Sequence, residues 1–391
     1  MEIKNLKKVA ERILKAIGQK EKIFLYGDAD PDGIGAVIIL EETIKQLGGE
    51  VVFSYILDRE KEGYGITKEG LFFLKKMLEA KEKALLIALD LGITSFEEVE
   101  LAKKLGFEVI IIEHHEVLEK TPKASLIVDP KQKGDKYPFK HFATAGLVYK
   151  LAKLLFSLVE ENYSPEKLLE LVAIATIADQ MPLEDENENL VKEGLLALNY
   201  TKREGLKALM ELTNFKSSAD IEEVKRKIIS FLNSGQTKNH QNETYLLLTE
   251  EKKEKILKLT KTLTKRTEKK KEKLKEIFKE IEEKFDENST IFFEGETNWP
   301  LFLAGTIASK ICQKYKIPSF IFKKGEKESR GSVRVPSGLN GVEAMKHCQK
   351  LLEDFGGHPP AAGFRIKNEN LEKFKKCLIE YFNHEKVNYL H

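Results

Sequence analysis

The chain has 391 residues, 33% charged and 41% hydrophobic, a balance that builds packed globular domains and excludes a disordered chain. Lys and Arg number 65 against 63 Asp and Glu, so the formal charge is only +2 and any nucleic-acid affinity must come from a local patch. No apolar run approaches membrane-spanning length. The three cysteines, Cys312, Cys348 and Cys377, show neither paired nor zinc-binding spacing, which points to a cytoplasmic protein with reduced thiols.

The opening "MEIKNLKKVAERILKAIG" places Ile3, Leu6, Val9, Ile13, Leu14 and Ile17 on one helical face. Acidic residues interrupt it, so it is not a signal peptide. From Glu21 to about Pro130 the apolar runs "KIFLYG", "VVFSYIL", "ALLIALD", "EVIIIEHH" and "SLIVDP" alternate with helical patterns near 33–47, 67–80 and 95–105. Runs apolar on both faces, alternating with helices, predict a parallel sheet covered by helices. Helices follow at 143–159 and in "SPEKLLELVAIATIADQ", where Ser164 suits an N-cap and Pro165 the first helical position. Shorter helices are expected over 187–235. Between Glu251 and Asp286, fourteen Lys or Arg and nine Asp or Glu accompany a narrow stripe of Leu274, Ile277, Phe278, Ile281 and Phe285. That pattern predicts a long, mostly exposed connector helix. Beyond Asn288, strand and helix patterns return through "STIFFEG", "LFLAGTIASKICQKY", "PSFIFKK", "SRGSVRVP", "GVEAMKHCQKLLEDF" and "AAGFRI". The expected domains are 1–200, a helical region with its connector at 201–287, and a smaller α/β unit at 288–391.

In an open parallel sheet, ligands bind outside the carboxyl ends of the strands. Acidic and histidine residues recur at those ends: Asp28, Asp30 and Asp32 in "DADPDG", Asp90, then Glu113, His114 and His115. Asp179 closes a helical stretch before Pro182. A single Asp after a strand is commonly a helix cap. Several strand ends presenting carboxylate or imidazole on one rim instead suit two Mn²⁺ or Mg²⁺ ions, a device for phosphoester hydrolysis.

"DADPDG", "ALDLG", "EHH", "VDP", "ATAG" and "ATIADQMPL", in that order, resemble the DHH phosphoesterase superfamily. "RGSVRVPSG" and "FGGHPPAAGF" resemble its partner domain, DHHA1. "DREKEGYGIT" and "LAGTIASKICQKYKIPSFIF" are similar to the RecJ-type single-strand nucleases within it. The resemblance covers nearly the whole chain. The name-giving Asp-His-His is here Glu113-His114-His115, and Tyr26 stands where the nanoRNase branch has a metal-binding histidine. The resemblance implies a compact archaeal-type relative, without the OB-fold domain that bacterial RecJ proteins carry after this core.

The resemblance implies an α/β fold with a parallel-sheet DHH domain, a helical extension, a long connector helix and a smaller α/β DHHA1 domain. It implies two Mn²⁺ or Mg²⁺ ions. Asp30 and Asp90 would hold one, with Asp28 a further candidate ligand; Asp32, Asp90, His114 and Asp179 would hold the other. Glu113 would orient His114 from behind, and His115 would donate to the scissile phosphate. Arg330, Ser332, Arg334, Gly356, Gly357 and His358 would bind substrate phosphates, although by spacing alone Gly356-Gly357 reads as a tight turn. The implied activity is exonuclease action on single-stranded DNA or RNA in repair or replication, with a protein partner possible and no membrane. A phosphoesterase for very short oligonucleotides or nucleotides is the alternative, and a non-catalytic replication scaffold a second one.

Overall fold

The computed structural model describes residues 2–80, 82–117, 120–159, 165–216, 220–286 and 289–388. It divides into two compact units, Met1–Thr267 and Glu268–His391.

The first unit opens with helix α1 (Leu6–Gly18), strand β1 (Lys22–Gly27), α2 (Pro31–Gln46), β2 (Val51–Ile56), α3 (Lys68–Lys75), β3 (Ala84–Leu89), α4 (Phe96–Lys104), β4 (Phe107–Ile112) and β5 (Leu126–Val128). All five strands pair in parallel, in the order β2-β1-β3-β4-β5. Every residue of β3 is buried, because helices cover both faces. One face carries Leu25, Leu85, Ile87 and Ile110 against α1, α2 and the helix α5 (Thr144–Leu158). The other carries Phe24, Leu86, Ala88 and Val109 against α3 and α4. The order of the strands reverses between β1 and β3, which is where a doubly wound sheet opens its crevice.

The expected N-cap Ser164 lies outside the described residues. Pro165 opens a 3₁₀ turn, Pro165–Leu168, before α6 (Leu169–Ala178), which then packs on α7 (Asp185–Asn199). The chain continues through α8 (Glu204–Leu212), the short α9 (Ile221–Val224) and α10 (Ser230–Leu232), a hairpin of β6 (Thr237–Lys238) and β7 (Gln241–Asn242), and α11 (Glu243–Thr249). Leu206, Leu209, Ile228, Leu247 and Leu263 join the same core as α2 and α5. The segment expected to stand apart from residue 201 therefore belongs to the first unit, and the division between units falls inside α12 (Lys253–Lys284).

The second unit contains β8 (Phe292–Glu296), α13 (Leu301–Tyr315), β9 (Ser319–Lys324), β10 (Glu328–Arg334), α14 (Gly341–His347), β11 (Leu352–His358), β12 (Ala361–Lys367) and α15 (Leu371–Asn388). Its sheet runs β11-β12-β10-β9-β8, antiparallel except for the β8–β9 pair. The α12 stripe read from sequence is buried here: Ile277 and Ile281 pack with Trp299, Leu303 and Ile307, and Leu274, Phe278 and Phe285 border them. The opposite sheet face packs Phe320, Val333 and Phe364 with α14 and α15. The expectation of reduced thiols needs correction, because Cys348 and Cys377 form a disulfide with S–S 2.06 Å. Their separation of 29 residues carries no pairing signal; the packing of α14 on α15 brings them together. Cys312 is free and buried.

Candidate active site

The "DADPDG" motif turns β1 into α2. Asp30 caps that helix, its Oδ1 accepting from the backbone N–H groups of Asp32 (3.1 Å) and Gly33 (3.0 Å). Pro31 occupies the first helical position, where no N–H is needed. A Cβ on Gly33 would meet the Asp28 backbone at 2.7 Å, so glycine is what lets the turn fold back on itself. Asp32 is fully buried, and its two oxygens accept from the first N–H groups of α5, at Thr144 and Ala145, both 2.7 Å. Asp90, just past β3, adopts a left-handed backbone with φ 63°, which turns its carboxylate away from the strand line. Thr144 Oγ1 donates to Asp90 Oδ1 at 3.0 Å.

These residues meet at the crevice between β1 and β3. Ligand atoms of Asp28, Asp30 and Asp90 lie within 4.8 Å of one another, and so do those of Asp32, Asp90 and His114. His114 is wholly buried, its Nε2 3.2 Å from Asp90 Oδ1, 3.2 Å from Asp179 Oδ2 and 3.6 Å from Asp32 Oδ2. Asp179 reaches the group from the C-terminal end of α6. The first unit thus gathers Asp28, Asp30, Asp32, Asp90, Glu113, His114, His115 and Asp179.

Glu113 behaves differently from the expectation. It accepts from the backbone N–H of Ile93 with one oxygen, and its other oxygen lies 2.6 Å from His115 Nδ1. Its carboxylate holds His115, not His114. Past the end of β4 the chain brings the side chains of Glu113 and His115 together, while His114 faces Asp32, Asp90 and Asp179 instead.

The carboxylates crowd one another electrostatically. Burial, then the neighbouring carboxylates, raise Asp32 and Asp90 well above the usual range. Burial lifts Asp28 more than Arg59 lowers it. At Asp30 burial is outweighed by Arg59 and the Gly33 N–H, which hold it low. Burial opposes charge on both histidines, yet Asp179 raises His114 to about 9 and Glu113 raises His115 to about 9. Carboxylates with one imidazole are the donor set of a hard divalent ion.

Two further groups escaped individual notice in the sequence. Arg59, within the "DREKEGYGIT" stretch, donates from Nε to Asp28 Oδ1 (2.5 Å) and from Nη2 to Asp28 Oδ2 and Asp30 Oδ2 (both 2.6 Å). Only the surrounding motif signalled it. Asp129 of "VDP" is fully buried behind Glu113 and His114, and burial pushes it up to about 7.

In the second unit, Arg330, Ser332 and Arg334 alternate along β10 and so share one sheet face. Cross-strand register puts Arg334 beside Ala361 and His358, and Ser332 beside Gly363 and Gly356. The centre of this face is bare because two glycines leave it without side chains, and Arg334 and His358 border it. Gly305 of α13 edges it, its position 3.2 Å from Arg334 Nη2 when a Cβ is placed there. Gly356-Gly357-His358 ends a paired strand, not a tight turn. Gly357 has φ 132°, and a Cβ there would meet Ala361 O at 2.6 Å. Every substrate-binding residue expected in this domain lies on this one sheet.

Residues 22–176 match the DHH family, N-terminal domain, and residues 288–384 match the DHHA1 domain. The single-stranded-DNA-specific exonuclease RecJ of Bacillus subtilis is 35% identical, over 97% of this chain and 48% of its own length. The corresponding Thermus thermophilus protein is 30% identical, over 97% of this chain and 54% of its own. The chain therefore spans about half the length of the curated relatives it matches. A crystal structure of an exonuclease RecJ bound to manganese superposes with a TM-score of 0.78 at 25% identity, covering 98% of this chain and 95% of the other.

Proposed function

Because the chain belongs to the family that joins a DHH domain to a DHHA1 domain, we propose that it is a metal-dependent phosphodiesterase that removes nucleotides from an end of single-stranded nucleic acid, DNA foremost. The observation that carries this reading is Asp90, whose carboxylate belongs to both clusters of candidate ligands, as a bridging group must. The names of the relatives support single-stranded DNA as substrate, and the manganese-bound structure supports Mn²⁺. Repair or replication in the cytoplasm is the setting this reading implies.

Two ions held here would supply neutralising charge at the scissile phosphate and an acidified water. Asp30 and Asp90 would hold the first, with Asp28 beside them; Asp32, Asp90, His114 and Asp179 would hold the second. Thr144 fixes Asp90, and the α5 N–H groups fix Asp32, so the ligands are set before substrate arrives. His115, gripped at Nδ1 by Glu113, would donate from its other ring nitrogen, Nε2, to the substrate phosphate. In the second unit Arg330, Ser332, Arg334 and His358 hold phosphates over the bare strip at Gly356 and Gly363.

The test is digestion of single-stranded DNA and RNA, labelled at either end, with Mn²⁺. Stepwise release from one end, lost in Asp90→Asn, is the expected result. Asparagine tolerates the left-handed backbone at this position, so the variant removes charge without adding strain. Internal cutting, cutting confined to two- to five-mers, or an active Asp90→Asn would overturn the reading.

A further inference from the structure

The loop between β2 and α3 brings Arg59 to the metal centre, and a second constellation stands behind it. Glu62, whose side chain is 10% exposed, accepts from Asp58 N at 3.1 Å, Tyr55 Oη at 2.5 Å and Thr67 Oγ1 at 2.9 Å. Tyr55 is stacked between Tyr26 and His240, each with ring centroids 4.4 Å away. His240 comes from the β6–β7 hairpin, far along the chain. Asn239 and His240 both have positive φ, 52° and 61°, as a two-residue hairpin turn demands. The hairpin is tied to the loop's root: Ile56 N donates to His240 O at 2.9 Å, and Thr237 Oγ1 to Leu57 O at 3.0 Å. Among the described residues His240 Nδ1 is buried without a hydrogen-bond partner, 3.8 Å from Glu62 Oε1.

A buried carboxylate is costly, and a glutamine of the same shape would fill this space. What the charge adds is a firm hold on Asp58 N–H, the peptide group one residue before Arg59. A three-point grip on Asp28 and Asp30 needs such accuracy, because each bond depends on where the guanidinium starts. The carboxylates of Asp28 and Asp30 that Arg59 holds are also candidate metal ligands. A cation brought to these carboxylates meets a guanidinium of like charge already held against them, and the two oppose one another there.

We infer that Arg59, pinned by Glu62, competes with the metal ion for Asp28 and Asp30, so that Glu62 and His240 set metal affinity from outside the centre. The inference rests on the proposed reading of Asp28, Asp30 and Asp90 as ligands. Glu62 and His240 are positioning residues; Arg59 is the group they act through.

The experiment is calorimetric titration of the full chain with Mn²⁺ alone. Arg59→Gln should tighten binding by about tenfold, the scale on which groups around a metal site act. Glu62→Gln should tighten it by about threefold, a fraction of that scale. The double variant should match Arg59→Gln, because a residue that acts through Arg59 has no effect without it. Tyr55→Phe removes one of Glu62's donors with little change in packing, and it replaces Glu62→Gln if that variant does not fold. Glu62→Gln and Tyr55→Phe both at the wild-type Kd, or an effect of Glu62→Gln that persists without Arg59, would overturn the inference while leaving the functional reading intact. A wild-type chain that takes up no Mn²⁺ would remove both.

Discussion

Glu113 shows how far one side chain's role depends on what it touches. Because it grips Ile93 N–H and His115, Glu113→Ala should release His115 and leave His114 in place. We expect kcat/KM to fall by about 10²-fold, the usual scale for a misplaced acid–base group, while the Mn²⁺ Kd stays within about threefold. Parallel kinetics and calorimetry separate the two. Asp90 carries a pH signature as well. Its pKa is raised in the folded, metal-free chain, so the folded state binds that proton more tightly than the unfolded state does. Stability is then lost as pH rises from the ordinary carboxylate range through the raised value. Asp90→Asn abolishes this loss, so its melting temperature without metal should exceed wild type by a margin that grows with pH. Melting curves between pH 4 and 8 in a chelator test it, and a margin that shrinks with pH would contradict it.

At the scale of strands and helices, the sequence was most legible where burial on both faces left a period or an unbroken apolar run. The five strands of the first sheet, α2, α5 and the α12 stripe all fall where pattern predicts them. The acidic and histidine residues at the strand ends also gather as expected, because a parallel sheet sends every strand's carboxyl end to one rim. What was hidden depends on contacts distant in sequence. "GGH" reads as a turn since glycine has no strand preference, yet β12 recruits it as an edge strand. The β6–β7 hairpin has two residues per strand, too few for any period, and its role comes from Tyr55 and Glu62 some 180 residues earlier. Arg59 was visible only inside a motif. The glycine-lined strip on β11 and β12, bordered by Arg334, makes its own prediction: Arg334→Ala should weaken binding of a labelled oligonucleotide. It should also flatten the slope of log K against log [salt] by about 0.7, the share of one neutralised phosphate on a single strand. Anisotropy titrations with Ca²⁺ in place of Mn²⁺ measure both, and an unchanged slope would make Arg334 structural.

For the whole molecule, two units with separate cores imply two melting transitions with different sensitivities. Mn²⁺ should raise the transition of the first unit, where the candidate ligands lie. The Cys348–Cys377 bridge closes a loop of 29 residues in the second, worth about 3–4 kcal/mol by loop-closure entropy. Reduction should lower that transition and leave the other where it was; scanning calorimetry with and without a reductant decides.

That bridge also changes how an assay should be prepared. Thiol reductants are routine additives in nuclease buffers, and they would open Cys348–Cys377, loosening the unit that carries Arg334 and His358. A chain produced in a reducing host would arrive already open. Activity measured under those conditions would describe a different covalent species, so the redox history of the sample belongs beside the metal concentration as a controlled variable.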